Sequence, residues 1–153
     1  MRRAAIGAAL LVALVVAGCG GGGGSKGLSK EEYGSKLNQI CTDLNAKQKE
    51  IGTPQSPAEL GEKGPQLLAA LESALGQARK LKAPGEISDQ ASKFVSLGDQ
   101  ERDLISKLID AAKANDLTKL AQLGAQIDPL QKESDAVAKQ LGAPACASTG
   151  SSG

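Results

Sequence analysis

The stretch LSKEEYGSKLNQICTDLNAKQKEIG, residues 28–52, decides the fold. Ser29 and Glu32 stand in the S-x-x-E spacing of a capping box. In that motif a hydroxyl accepts from an amide three residues on, and a carboxylate returns the favour. Leu28 and Tyr33 occupy the flanking positions of a hydrophobic staple. Tyr33, Leu37, Ile40, Cys41, Leu44 and Ile51 then recur at helical spacing, and Gly52 with Pro54 supplies the stop. The reading is a helix with one apolar face, which must be buried against other elements.

The same punctuation recurs downstream. Ser56-Pro57-Ala58-Glu59 is a second capping signature, with proline at the first helical position. Gly61, Gly64 and Pro65 follow closely and predict a short turn, a break or kink, and then a firm helix through Leu67, Leu71, Leu75 and Leu81. Ala83-Pro84-Gly85 closes it. A third helix is predicted from Glu86–Ser88 to Asn115, with Ile87, Ala91, Phe94, Leu97, Leu104, Leu108 and Ala112 among its apolar positions. Asp116 caps a fourth, which carries Leu117, Leu120, Leu123, Ile127, Leu130, Val137 and Leu141, with Pro129 predicting a kink in its middle. Nothing alternates with period two over a useful length, so no strand is expected. Four helices joined by short loops predict an all-α, up-down-up-down four-helix bundle over residues 28–146, kinked near Pro65 and Pro129. In that topology the end of the fourth helix lies beside the start of the first.

The N-terminus has a different composition. Met1-Arg2-Arg3 precedes an apolar run from Ala4 to Ala17, then Gly18 and Cys19. The run is about 14 residues, and a spanning helix needs about 20. A charged start, a short apolar stretch and a small-residue exit read as a secretory signal. Val16-Ala17-Gly18-Cys19 resembles the lipobox of bacterial lipoproteins. That resemblance implies a signal peptide over 1–18, cleavage before Cys19, and diacylglycerol on the Cys19 sulfur, with further acylation (palmitate, for example) of the new N-terminus. Two acyl chains at about 0.8 kcal/mol per buried methylene give a stable anchor. The expected location is the extracytoplasmic face of the cell membrane. Gly20 to Gly24 and the residues to Gly27 read as a tether. The order Gly24-Ser25-Lys26, with no strand before it, does not fit a phosphate-binding loop. Residues 147–153 are small and polar and are expected to be a disordered tail.

Composition narrows the chemistry. Lys and Arg total 18 against 17 Asp and Glu; removal of Arg2 and Arg3 with the signal leaves 16 against 17, a net charge of −1. A near-neutral surface with interleaved signs makes no case for nucleic acid, which demands clustered Lys and Arg. Tyr33 and Phe94 are the only aromatic residues, so the core must be aliphatic. Histidine is absent. Histidine-based nucleophilic triads and metal-bridged bundles with Glu-x-x-His motifs are thereby excluded. With Cys19 assigned to lipid, Cys41 and Cys146 remain as a pair, which in an oxidising compartment reads as a disulfide. Two buried free thiols are the alternative. Two cysteines without histidine fall short of the four ligands of structural zinc. No metal and no cofactor is expected.

The densest polar run is Asp99-Gln100-Glu101-Arg102-Asp103. Its carboxylates could bind a hard cation or form an acid/base pair, but the spacing and glycine of a calcium loop are missing. A solvated stripe, or a polar layer in the bundle, accounts for the run more simply. Asn38 and Asn45 share the frame of the first helix and could form a polar patch.

In layout, residues Leu28 to Cys146 are similar to small exported helical lipoproteins of high-GC Gram-positive bacteria. The shared features are an S-K-E-E-Y start, an N-x-I-C helix, an A-P-G break, an A-K-A-N-D-L step and a final L-G-A-P-A-C. The resemblance implies a fold and a location without an activity. The expected function is a non-catalytic, membrane-anchored binding or interaction module of the cell envelope, recruiting an envelope protein or cell-wall partner through a helix face. The alternative is a small-ligand-binding lipoprotein with a pocket at the proline kinks. Third comes an enzyme using Asp99, Glu101 or Asp103.

Overall fold

A computed structural model describes residues 27–147. The signal segment, Cys19, the glycine run and residues 148–153 lie outside the described residues. Within them the chain is all-α: α1 (Lys30–Ile51), α2 (Pro57–Ala78), α3 (Ser88–Lys113), α4 (Leu117–Gly124) and α5 (Ile127–Gln140), with single 3₁₀ turns at Gly85–Ile87 and Pro144–Cys146. No helix among the described residues is long and apolar enough to cross a membrane.

The helix starts follow from their caps. Ser29 Oγ accepts from the Glu32 amide at 3.1 Å, and Glu32 Oε2 accepts from the Ser29 amide at 2.8 Å. Ser56 and Asp116 cap α2 and α4 through the amides of Glu59 and Lys119. α1 ends at Gly52 with φ of 84°. α3 ends at Asn115, which takes the left-handed conformation (φ 53°), one that asparagine tolerates better than most side chains.

The two inner prolines have different outcomes. α2 runs unbroken through Pro65. The proline ring is on the exposed face, where water can satisfy the Gly61 carbonyl that lacks its intrahelical donor. Gly64 and Gly98, two glycines inside helices, mark where α2 and α3 approach closely. A Cβ on Gly64 would lie 2.5 Å from Cγ1 of Ile109, and one on Gly98 would overlap Leu75. The expected fourth helix, by contrast, is two. The chain breaks at Ala125–Gln126, and Pro129 falls in the first turn of α5. A proline there would have clashed with the Ala125 carbonyl of a continuous helix, whereas in a first turn its missing N–H costs nothing.

α2 and α3 run antiparallel, with Gly61 beside Lys113, Gly64 beside Ile109 and Gly98 beside Leu75. α3 also packs on α4 and α5, and α1 packs on α2 and on the C-terminal 3₁₀ turn. Two apolar cores result. The larger joins Tyr33, Leu37 and Cys41 of α1, Ala78 of α2, Phe94 and Leu97 of α3, Val137 of α5 and Leu141 just beyond it. The smaller joins Leu104, Leu108 and Ala111 of α3 to Leu123 of α4.

Candidate functional site

The C-terminal segment forms a strap along α1. α5 ends in a Schellman motif: the Ala143 amide donates to Ala138 and the Gly142 amide to Lys139, with Gly142 at φ 73°. The returning backbone crosses α1 at Gly34, where a Cβ would lie 2.5 Å from the Leu141 carbonyl oxygen, so only glycine fits without a shift. Asn38 and Asn45 then grip the backbone of one residue, Ala145, through its amide and its carbonyl. Asn38 Oδ1 accepts from the Ala145 amide at 2.7 Å, and Asn45 Nδ2 donates to the Ala145 carbonyl at 2.8 Å. The next residue, Cys146, is bonded to Cys41, with the two Cα atoms 5.0 Å apart.

Behind the strap lies a cavity of about 160 Å³. All of α1, α2, α3 and α5 contribute to it. Its floor includes Leu37, Leu71, Leu75 and Phe94, and its wall includes Cys41, Cys146 and Ala147. Ala147, expected to begin a free tail, thus has a place on the rim. The polar lining comes from Asn45 and Gln48 of α1, Glu101 of α3, and Gln131, Ser134 and Asp135 of α5.

The acidic run of α3 divides here. Asp99 pairs with Arg79 and lies 3.4 Å from Arg102, and Asp103 takes a second bond from Arg102 at 2.6 Å. Both carboxylates lie on the outer surface. Glu101 lies on the other face. The inward stripe of α3 reads Phe94, Leu97, Glu101, Leu104, Leu108, Ala111, with steps of three and four residues. Glu101 therefore sits between the two cores, half-buried, and makes no hydrogen bond or ion pair among the described residues. Desolvation, followed by the nearby charge of Asp135, pushes its carboxyl above the ordinary glutamate range.

The cavity is not where the sequence suggested. Pro65 does not line it, and Pro129 borders a separate open groove between α3 and α5 with Gln100, Lys107 and Glu133. No group of three His, Cys, Asp or Glu among the described residues could hold a metal ion. No family model matches the chain, and no curated protein or solved structure shows significant similarity to it.

Proposed function

We propose that the chain is an exported, lipid-anchored, non-catalytic binding module of the cell envelope, and that it takes a small ligand into the cavity behind the strap. The cavity carries this reading: at about 160 Å³ it is close to the roughly 150 Å³ apolar cavity in which an engineered protein holds benzene. Recruitment of a partner through a helix face has less support. Among the described residues, Leu117 is the one large hydrophobic side chain that stands exposed, at 62%. A docking face would present a contiguous apolar patch. The anchor rests on the Met1–Cys19 pattern and on Gly20 to Gly24 beyond it.

Two measurements test the two halves. Benzene titrated into the full chain should shift the methyl NMR signals of Leu37, Leu71 and Leu75, and Ala74→Leu, which fills the cavity floor, should abolish the shifts. Shifts absent from the wild type would end the cavity reading. Radiolabelled palmitate should enter the wild-type protein in cells and not Cys19→Ser; equal labelling of both would end the anchor reading.

A further inference from the structure

We propose that the ligand of this cavity is a small organic cation: an apolar body of about the size of a benzene ring bearing an ammonium group that meets Glu101. The inference rests on the cavity reading above and adds the ligand's charge. Both charged residues in the lining, Glu101 and Asp135, are carboxylates, and they come from two different helices. No lysine or arginine lines the cavity. Of the basic side chains along α3, Arg102 is engaged with Asp99 and Asp103 and Lys93 with Glu133 at 2.7 Å, while Lys107 is exposed and borders the separate groove beside Pro129.

A half-buried carboxylate without an ion-pair partner is costly unless a counter-charge or a proton arrives. The raised pKa of Glu101 shows the proton's side of that choice. An ammonium group at the same place would satisfy the carboxylate in its ionised form through a charge-assisted hydrogen bond. A carboxylate-bearing ligand, such as a fatty acid, would bring a further negative charge against Glu101. The apolar body has its place among Leu37, Leu71, Leu75 and Phe94.

Three probes of one shape separate the contributions: benzylamine, benzyl alcohol and benzoate, measured by calorimetry at neutral pH on the full chain in lipid nanodiscs, with empty nanodiscs as reference. Benzylamine should bind about tenfold or more tighter than benzyl alcohol, the scale of a hydrogen bond to a charged group. Benzoate should bind weakest of the three. Glu101→Gln keeps the shape of the side chain; it should lower benzylamine to the level of benzyl alcohol and leave benzyl alcohol unchanged. Asp135→Asn should weaken benzylamine less. Equal binding of all three, or a preference for benzoate, would overturn the cation inference and leave the cavity reading standing. Failure of all three to bind would overturn both. Benzylamine binding that survives Glu101→Gln unchanged would remove Glu101 from the site.

Discussion

At one end of the bundle, Tyr33, Leu37, Phe94, Leu97, Val137 and Leu141 close a core that a disulfide and two asparagines hold shut. At the other end, Leu104, Leu108 and Ala111 close a smaller core beneath α4, a helix of eight residues with no crosslink. Between them α3 places Glu101 on its inward stripe, after Leu97 and before Leu104. The same aliphatic residues thus serve different ends. The strapped end is a frame, and the α4 end is a lid of local structure. An isolated helix of eight residues is far below the roughly 12–15 needed for marginal stability in water, so α4 depends on Leu123 and its neighbours for its existence. The cavity opens against the frame, where its walls are fixed on both sides.

The largest expected break in this contrast comes from the crosslink. Cys41→Ser with Cys146→Ser removes a bond that closes a separation of 105 residues. A loss of about 2–5 kcal/mol in denaturant unfolding is expected from a loop of that size. The strap residues should lose amide protection while α4 is unchanged relative to its own baseline. Next come the cores. Leu37 is fully buried, and Leu37→Ala should cost about 4 kcal/mol, in the upper part of the range for such truncations. Leu123, with 9% exposure and fewer buried neighbours, should cost about 2 kcal/mol as Leu123→Ala. Equal costs in the two variants would remove the distinction between frame and lid.

Glu101 sharpens the comparison through pH. Its folded-state pKa is raised, so the native state holds a proton at pH values where the unfolded chain has released it. The stability it contributes is full below the unfolded value and is lost as pH rises through the folded value. Melting temperature should therefore fall more steeply for wild type than for Glu101→Gln as pH rises from the ordinary glutamate range toward neutrality. At neutral pH Glu101→Gln should be the more stable protein. Parallel curves would show that the carboxylate is not buried between the cores. The smallest effect belongs to Leu117→Ser, which removes an exposed side chain at the start of α4. It should change stability by less than about 0.5 kcal/mol.

Local chemistry was legible in the sequence. The Ser29–Glu32 box, the Ser56 and Asp116 caps and the stop at Gly52 are short-range signals, and each stands where the spacing puts it. The pairing of Cys41 with Cys146, and the return of the chain along α1, followed from counting cysteines and helices. What was not legible depends on partners far along the chain. Gly64 read as part of a helix break, yet it marks the approach of α3 to α2, as does Gly98, for which there was no sequence reading. Pro129 announced a kink, and the break came four residues earlier because the steric conflict falls on the preceding turn. Asn38 and Asn45 gave no hint of the Ala145 backbone that they hold. Glu101 had a signal that was missed. It lies four residues after Leu97 and three before Leu104, but the charged run around it left a solvated stripe and a polar layer in the bundle as equal readings.

The most direct test of the account is a carbon NMR titration of the Glu101 carboxyl in the otherwise unaltered protein. The account predicts a midpoint above the ordinary value of 4.5 that shifts downward when benzylamine is present. A midpoint at or below that value, unmoved by benzylamine, would place Glu101 in open solvent and contradict both the division of the core and the site built on it.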